Sequence, residues 1–239
     1  MELLCGKEGK NILFSTACAK NALSFAQCDM MDAKNKKGVI FIMNFRLRYG
    51  DEFDESYLTN VMGIDEIVYA ADGYVGELPN MIARYHVEHR QFVCLEEVET
   101  GRLAGYINFV PCTDALYKNI RYESERIRDD DIRPDELQTL SHDGNHLFLI
   151  SIALHPDFKD TGAIKELSNG WIAYLAQLEQ EGYPITDIGA TAVSPDGRKA
   201  LHRMQFEQER VLKEDGNIVF ICEGDRLRKL LNKELRFNG

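Results

Sequence analysis

The sequence lacks the features that mark membrane proteins and nucleic-acid binders. Its longest apolar run, residues 147–154, is far shorter than the ~20 residues that a membrane-spanning helix needs. It has no long block of lysine and arginine, and 28 basic residues against 39 acidic ones give a formal net charge of −11. Because nucleic-acid affinity comes largely from phosphate neutralisation, we expect neither a nucleic acid nor a membrane among its partners.

The sequence also lacks the motifs of the common metal and nucleophile sites. Its cysteines form no C-x-x-C pair and no Cys/His spacing typical of zinc, so we predict no bound metal. There is no Walker-A loop, no H-E-x-x-H and no nucleophile elbow. Cys94 and Cys112 lie in apolar runs, where cysteine behaves as a small hydrophobic residue.

The absence of a cysteine cluster, in a chain long enough to fold without disulfides, favours a reducing compartment. Residues 12–18 loosely mimic a signal segment, but Glu2 and Glu8 stand where a secretory leader would be basic. We therefore expect a cytoplasmic protein.

What the sequence does contain is enough for one full-sized domain with an appendage. It has 239 residues, of which 44% are hydrophobic and 28% charged, a balance typical of globular proteins. Residues 1–38 have small, scattered apolar side chains and end in a polar stretch. We predict an N-terminal appendage over 1–38 and a domain over 39–239.

Apolar spacing and turn residues predict the order of elements within the domain. The most apolar strand, 146–154, should be central, and Pro111 should end the strand before a long polar insertion at 112–145. The predicted elements are a strand at 39–48, helices at 54–71 and 79–86, strands at 91–96, 102–110 and 146–154, a helix at 162–180, a strand at 185–193, a short helix ending at Met204, strands at 206–212 and 218–222, and a helix at 225–235.

The joint after the central strand is the most informative stretch. A short polar loop containing Lys159 leads to Gly162 and the start of a helix. Backbone N–H groups at a helix start favour anions, although such joints with one glycine are common.

The element order, together with His155-Pro156-x-Phe158-Lys159-x-x-Gly162, resembles the Gcn5-related N-acetyltransferase (GNAT) superfamily over roughly residues 40–222. The resemblance implies an α/β fold with a mixed, mostly antiparallel central sheet flanked by helices. It further implies acetyl-CoA or another acyl-CoA as cofactor and an amine-bearing acceptor. The residues that it assigns to the cofactor are Ala153, Leu154, Lys159, Asp160, Thr161, Gly162 and Ala163.

The sequence departs from the superfamily pattern at three positions. Lys159 replaces the usual Gln or Arg, and Ile164 stands where a small residue allows the pyrophosphate to approach. Leu201 occupies the position of a tyrosine often proposed to protonate the departing thiolate. Two hypotheses therefore stay open: an N-acetyltransferase, and a catalytically silent fold reused as a ligand sensor or protein-interaction module. A homodimer is also left open.

The candidate catalytic residues are Ser194, Asp130 and Asp131. Ser194 aligns with the superfamily's Asn and would bind pantetheine or a water, although a helix N-cap is the commoner role for such a serine. The run Asp129–Asp131 falls where the superfamily builds acceptor sites, and carboxylates suit an ammonium group. A solvated turn is the alternative for that run.

Overall fold

A seven-stranded mixed sheet organises the part of the chain that the computed structural model describes, residues 43–69, 73 and 75–232. The strands are β1 Phe45–Tyr49, β2 Phe92–Glu97, β3 Leu103–Cys112, β4 Asn145–Leu154, β5 Ile185–Ala192, β6 Glu207–Val211 and β7 Ile218–Glu223. They lie in the order β1-β2-β3-β4-β5-β7-β6, and only the β4–β5 pair is parallel. This confirms the predicted mixed, mostly antiparallel sheet. The predicted appendage, 1–38, lies outside the described residues.

Helices cover both faces of this sheet because each buries an apolar stripe against it. The helices are α1 Leu58–Tyr69, α2 Leu78–Val87, α3 Asp114–Lys118, α4 Ala163–Gln180, α5 Pro195–Arg203 and α6 Gly224–Leu231. Trp171 of α4 is fully buried among side chains of β2, β3 and β4, as expected for a residue on the apolar face of a helix. On the other face of the sheet, residues of α1 and α2 pack with Phe92, Cys94 and Tyr106.

β4 occupies the centre of the sheet, as its apolar sequence predicts. It pairs with β3 on one side and with β5 on the other. The loop before α4 follows directly on β4, so the predicted strand–loop–helix joint lies at the end of the central strand.

The prediction that Pro111 ends β3 is wrong. The strand continues to Cys112, and Pro111 pairs in register with Leu147 of β4. The Pro111 carbonyl accepts a hydrogen bond from the Gln138 N–H, so the backbone groups of Pro111 face away from β4. Going along β3 toward Pro111, the pairing with β2 ends at Asn108, which lies opposite Phe92, the first residue of β2. Proline is tolerated here because no β2 residue needs its missing N–H.

The segment 112–145 also differs from the polar insertion that its composition suggests. Its apolar side chains form a second buried cluster with Val110 and Phe148 of the sheet. The members from the segment include Leu116, Tyr117, Ile120, Ile127, Ile132 and Leu137. The insertion is therefore a packed wall against one face of the sheet.

Three findings apply to the described residues alone. None of their helices is long and apolar enough to cross a membrane. They contain no group of three or more His, Cys, Asp or Glu side chains that could hold a metal ion. Cys94, Cys112 and Cys222 are buried and form no disulfide.

Candidate functional site

A cleft opens where β4 and β5 separate. Their parallel pairing runs from Asn145 to Leu149 on β4 and ends opposite Ala190 of β5. Beyond that point β4 continues to Leu154 paired only with β3, while β5 continues paired with β7. The two strands thus part around a cleft of about 320 Å³.

The free edge of β4 presents backbone hydrogen-bonding groups to this cleft. The His155 N–H donates to the Ala104 carbonyl of β3 at 2.8 Å. Because backbone groups alternate in direction along a strand, those of Ile152 and Leu154 face away from β3. The Tyr69 hydroxyl of α1 donates to the Ile152 carbonyl at 2.8 Å from the cleft side. One acceptor on this edge is therefore already engaged by a side chain.

The loop between β4 and α4 brings the predicted cofactor residues together. Ala153 and Leu154 end the strand, and Lys159, Asp160, Thr161 and Gly162 lead into the buried Ala163 at the start of α4. Gly162 has φ of 86°, and a Cβ there would meet nothing within 4 Å, so its backbone conformation is what favours glycine. Within the described residues, the N–H groups of Gly162 and Ile164 have no acceptor, as the first turn of a helix allows.

Ile164 and Leu201 both line the cleft, and their environments differ. Ile164 is 38% exposed, so its side chain stands at the cleft rather than in the core of α4. Leu201 is buried, with 3% exposure. Ser194 lines the cleft and caps α5, since its Oγ accepts a hydrogen bond from the Gly197 N–H at 3.0 Å. The structure shows this capping role, and the catalytic role of Ser194 stays a prediction.

The acidic run 129–131 forms one turn of 3-10 helix, and each of its carboxylates has a partner. Asp129 lines the cleft and accepts two hydrogen bonds from the fully buried Arg84 of α2, at 2.8 and 2.9 Å. Asp130 accepts from the backbone N–H just before α2, and Asp131 pairs with Arg126. The run therefore fastens the insertion to α2. The acceptor-binding roles of Asp130 and Asp131 stay predictions.

The cleft also holds Asp65 of α1, a carboxylate that is not among the predicted site residues. It is 5% exposed and accepts a hydrogen bond from the Tyr106 hydroxyl, which in turn accepts one from Ser151 at 3.2 Å. Burial is the main cause that raises the pKa of Asp65, to about 6; the Tyr106 hydrogen bond opposes it, Asp129 adds to it, and Arg84 opposes it.

A signal for Asp65 was present in the sequence. Val61, Ile64 and Val68 of α1 share its face of the helix, so Asp65 interrupts an apolar stripe. A lone acid on a buried stripe marks a position where the charge has a partner or a use. Around Asp65 the wall of the cleft is otherwise mainly apolar, formed in part by Val68, Ile127, Ile132, Phe148 and Ile150.

Sequence comparison finds no counterpart for the chain: no family model matches it, and no curated protein does. Comparison of the fold with solved structures does find similar proteins. The loading GNATL domain of CurA from Lyngbya majuscula matches with a TM-score of 0.54 at 12% identity, over 74% of this chain and 96% of that one. The GphF GNAT-like decarboxylase in complex with isobutyryl-CoA matches with a TM-score of 0.51 at 11% identity, over 74% and 97%.

An N-acetyltransferase from Staphylococcus aureus Mu50 also matches, with a TM-score of 0.47 at 15% identity, over 75% of this chain and 98% of that one. The chain has the fold of the GNAT superfamily, which confirms the predicted fold class and the resemblance at the level of the fold.

Proposed function

We propose that this protein is an acyltransferase that transfers an acyl group from an acyl-CoA, acetyl-CoA in the first instance, to an amine. The observation that carries the proposal is the free β4 edge, which leads without interruption into the Gly162 loop and the start of α4. Such an edge suits a chain with amide groups, and such a loop suits phosphate oxygens.

The residues at the cleft fit an acyl-CoA in two respects. The backbone groups of Ile152 and Leu154 would pair with the pantetheine amides. The N–H groups of Gly162 and Ile164, with Lys159 nearby, would hold the pyrophosphate. The bound acyl-CoA would supply an activated thioester. The Tyr69 hydroxyl competes for the Ile152 carbonyl, so binding requires its displacement.

Asp65 is the group best placed to take up the proton that the amine loses when it receives the acyl group. It lines the cleft, and with a pKa raised to about 6 it is mostly ionised at neutral pH while still near the range that favours a general base. The apolar wall around it favours an amine in its neutral, nucleophilic form. Leu201 cannot donate a proton, so we assign the remaining catalysis to binding and orientation.

Cofactor binding is tested with a matched pair of glycine variants. Gly162 and Gly101 both have positive φ, 86° and 69°, and a Cβ at either would meet nothing within 4 Å. Gly162→Ala should weaken acetyl-CoA binding about tenfold or more by calorimetry, because the strained residue shifts the loop. Gly101→Ala, in the β2–β3 turn, should leave the affinity unchanged. Equal affinity in the two variants would contradict the loop assignment.

Wild-type binding has its own signature. Acetyl-CoA at ten times its Kd should stabilise the protein by about 1.4 kcal/mol through linkage. No thermal shift at millimolar acetyl-CoA would remove the cofactor from the proposal.

Turnover is tested by thiol release from acetyl-CoA with a panel of amines. We expect release with an amine whose body is apolar, and loss of release in Asp65→Asn with the CoA affinity preserved. CoA binding without turnover on any amine would favour the silent sensor or interaction module. Because one structure of matching fold is a GNAT-like decarboxylase, carbon dioxide release from a carboxyacyl-CoA is measured alongside. Its appearance without amine transfer would replace the amine acceptor.

A further inference from the structure

The two arginines of α5 differ from the arginines elsewhere in the described part of the chain. Arginines in the other elements have carboxylate or carbonyl partners, as with Arg84, Arg121 and Arg210. Within the described residues, the guanidinium groups of Arg198 and Arg203 of α5 make no hydrogen bond and no salt bridge, and the Arg198 Nε is buried without an acceptor. In a chain of net charge −11, unpaired cations on one short helix require an explanation.

Helical geometry places part of this charge at the rim of the cleft. At 100° per residue, Asp196, Lys199, Ala200 and Arg203 lie along one flank of α5. Asp196 and Ala200 line the cleft. Lys199, 67% exposed, donates a hydrogen bond to Asp196 at 3.1 Å, and Arg203 is exposed one turn further on. The two cations therefore border the mouth of the cleft.

Lys159, in the loop before α4, adds a further cation. The pKa of Asp196 is held below its ordinary value, first by the hydrogen bond from Lys199 and further by the charges of Lys159 and Arg203. Lys159 and Arg203 thus lie within electrostatic reach of the same carboxylate. Asp196 therefore has three cations within electrostatic reach, Lys159, Lys199 and Arg203, and this group of side chains carries a net positive charge.

From this arrangement we propose that Lys199 and Arg203 bind the 3′-phosphate of CoA, so that the protein distinguishes CoA from 3′-dephospho-CoA. The inference rests on the proposed cofactor. In CoA the 3′-phosphate is separated by a single ribose from the pyrophosphate, which the neighbouring Gly162 loop would hold. The guanidinium of Arg203 suits two phosphate oxygens at once, and Lys199 supplies a point charge.

The test compares CoA and 3′-dephospho-CoA by calorimetry at low ionic strength. Wild type should bind CoA about 5- to 10-fold more tightly, as one or two charge-assisted hydrogen bonds at an exposed site allow. Lys199→Gln and Arg203→Gln should each reduce that ratio toward one while leaving the affinity for 3′-dephospho-CoA unchanged. Lys229→Gln, which removes an exposed lysine of α6, is the charge-matched control and should keep the wild-type ratio.

The outcomes separate this inference from the proposed function. Equal affinity of wild type for the two ligands would overturn the phosphate site while leaving the acyl-CoA cleft intact. A ratio retained in both α5 variants, or lost equally in Lys229→Gln, would overturn the assignment to Lys199 and Arg203. Failure of either ligand to bind would overturn the proposed function, and the inference with it.

Discussion

Replacing Asp65 by asparagine should stabilise the protein while abolishing its proposed activity. Asp65 is buried with 5% exposure and its pKa is raised from 3.8 to about 6, chiefly by burial. The native state therefore favours the protonated carboxyl more than the unfolded state does. Asparagine keeps an oxygen for the Tyr106 hydroxyl and removes the charge that the site does not readily solvate.

The magnitude follows from that displacement of the pKa. A raised native pKa gives stability that is fully present below the unfolded pKa near 4 and is lost as the pH rises through about 6. At about 1.4 kcal/mol per pH unit, ionisation of Asp65 costs roughly 3 kcal/mol at pH 7.5. Asp65→Asn should thus exceed wild type by about this amount at pH 7.5 and by little at pH 4.

The assay is urea denaturation of both proteins at intervals from pH 4 to pH 8. Asp187→Asn is the control, because Asp187 is also 5% exposed but pairs with the Nδ1 atom of His146 at 2.7 Å. Its loss should destabilise the protein by on the order of 1–3 kcal/mol. An Asp65→Asn protein no more stable than wild type at pH 7.5, with a parallel pH dependence, would refute the reasoning.

Three further changes have defined outcomes. Tyr106→Phe removes a hydrogen bond that favours ionised Asp65, so the acidic limb of the pH profile of kcat/KM should move upward from about 6. Arg84→Met leaves the Asp129 carboxylate without its buried partner and should cost about 3–5 kcal/mol in urea denaturation. Ile164→Ala removes an exposed side chain beside the loop and should tighten acetyl-CoA binding in a calorimetric titration.

Each of these changes has a result that would count against it. An unmoved or lowered acidic limb would separate Tyr106 from the ionisation of the base. Arg133→Met, which breaks an exposed pair with Glu136, should cost less than about 1 kcal/mol, and an equal cost for Arg84→Met would mean that burial does not matter. Val211→Ala controls for loss of an exposed apolar side chain. Weaker binding in Ile164→Ala would make Ile164 a contact rather than an obstruction.

Local patterns in the sequence were sufficient for most elements of the fold. The apolar run of β4 predicts a strand buried on both faces, and β4 is the central strand of the sheet. The β2–β3 hairpin follows from Gly101, whose φ of 69° suits glycine in the turn. Pro111 could not be interpreted from the sequence, because its tolerance depends on where β2 stops pairing with β3.

The site depends more on contacts between distant residues. The sequence alone indicates the loop from Lys159 to Ala163, because its residues are contiguous. The Arg84–Asp129 pair joins residues 45 positions apart, and neither position alone indicates the other. Asp65 becomes a candidate base only when Tyr106 and the parting of β4 from β5 surround it. The direction of the Ile164 side chain depends on where α4 begins, which one residue alone does not indicate.

The structure of the protein in complex with CoA tests the central claim most directly. We predict that the pantetheine chain lies along the free edge of β4 beside Ile152 and Leu154, with the Tyr69 hydroxyl displaced from the Ile152 carbonyl. The pyrophosphate should contact the N–H groups of Gly162 and Ile164. CoA bound elsewhere on the protein, with the edge of β4 uncontacted and Tyr69 in place, would contradict the account.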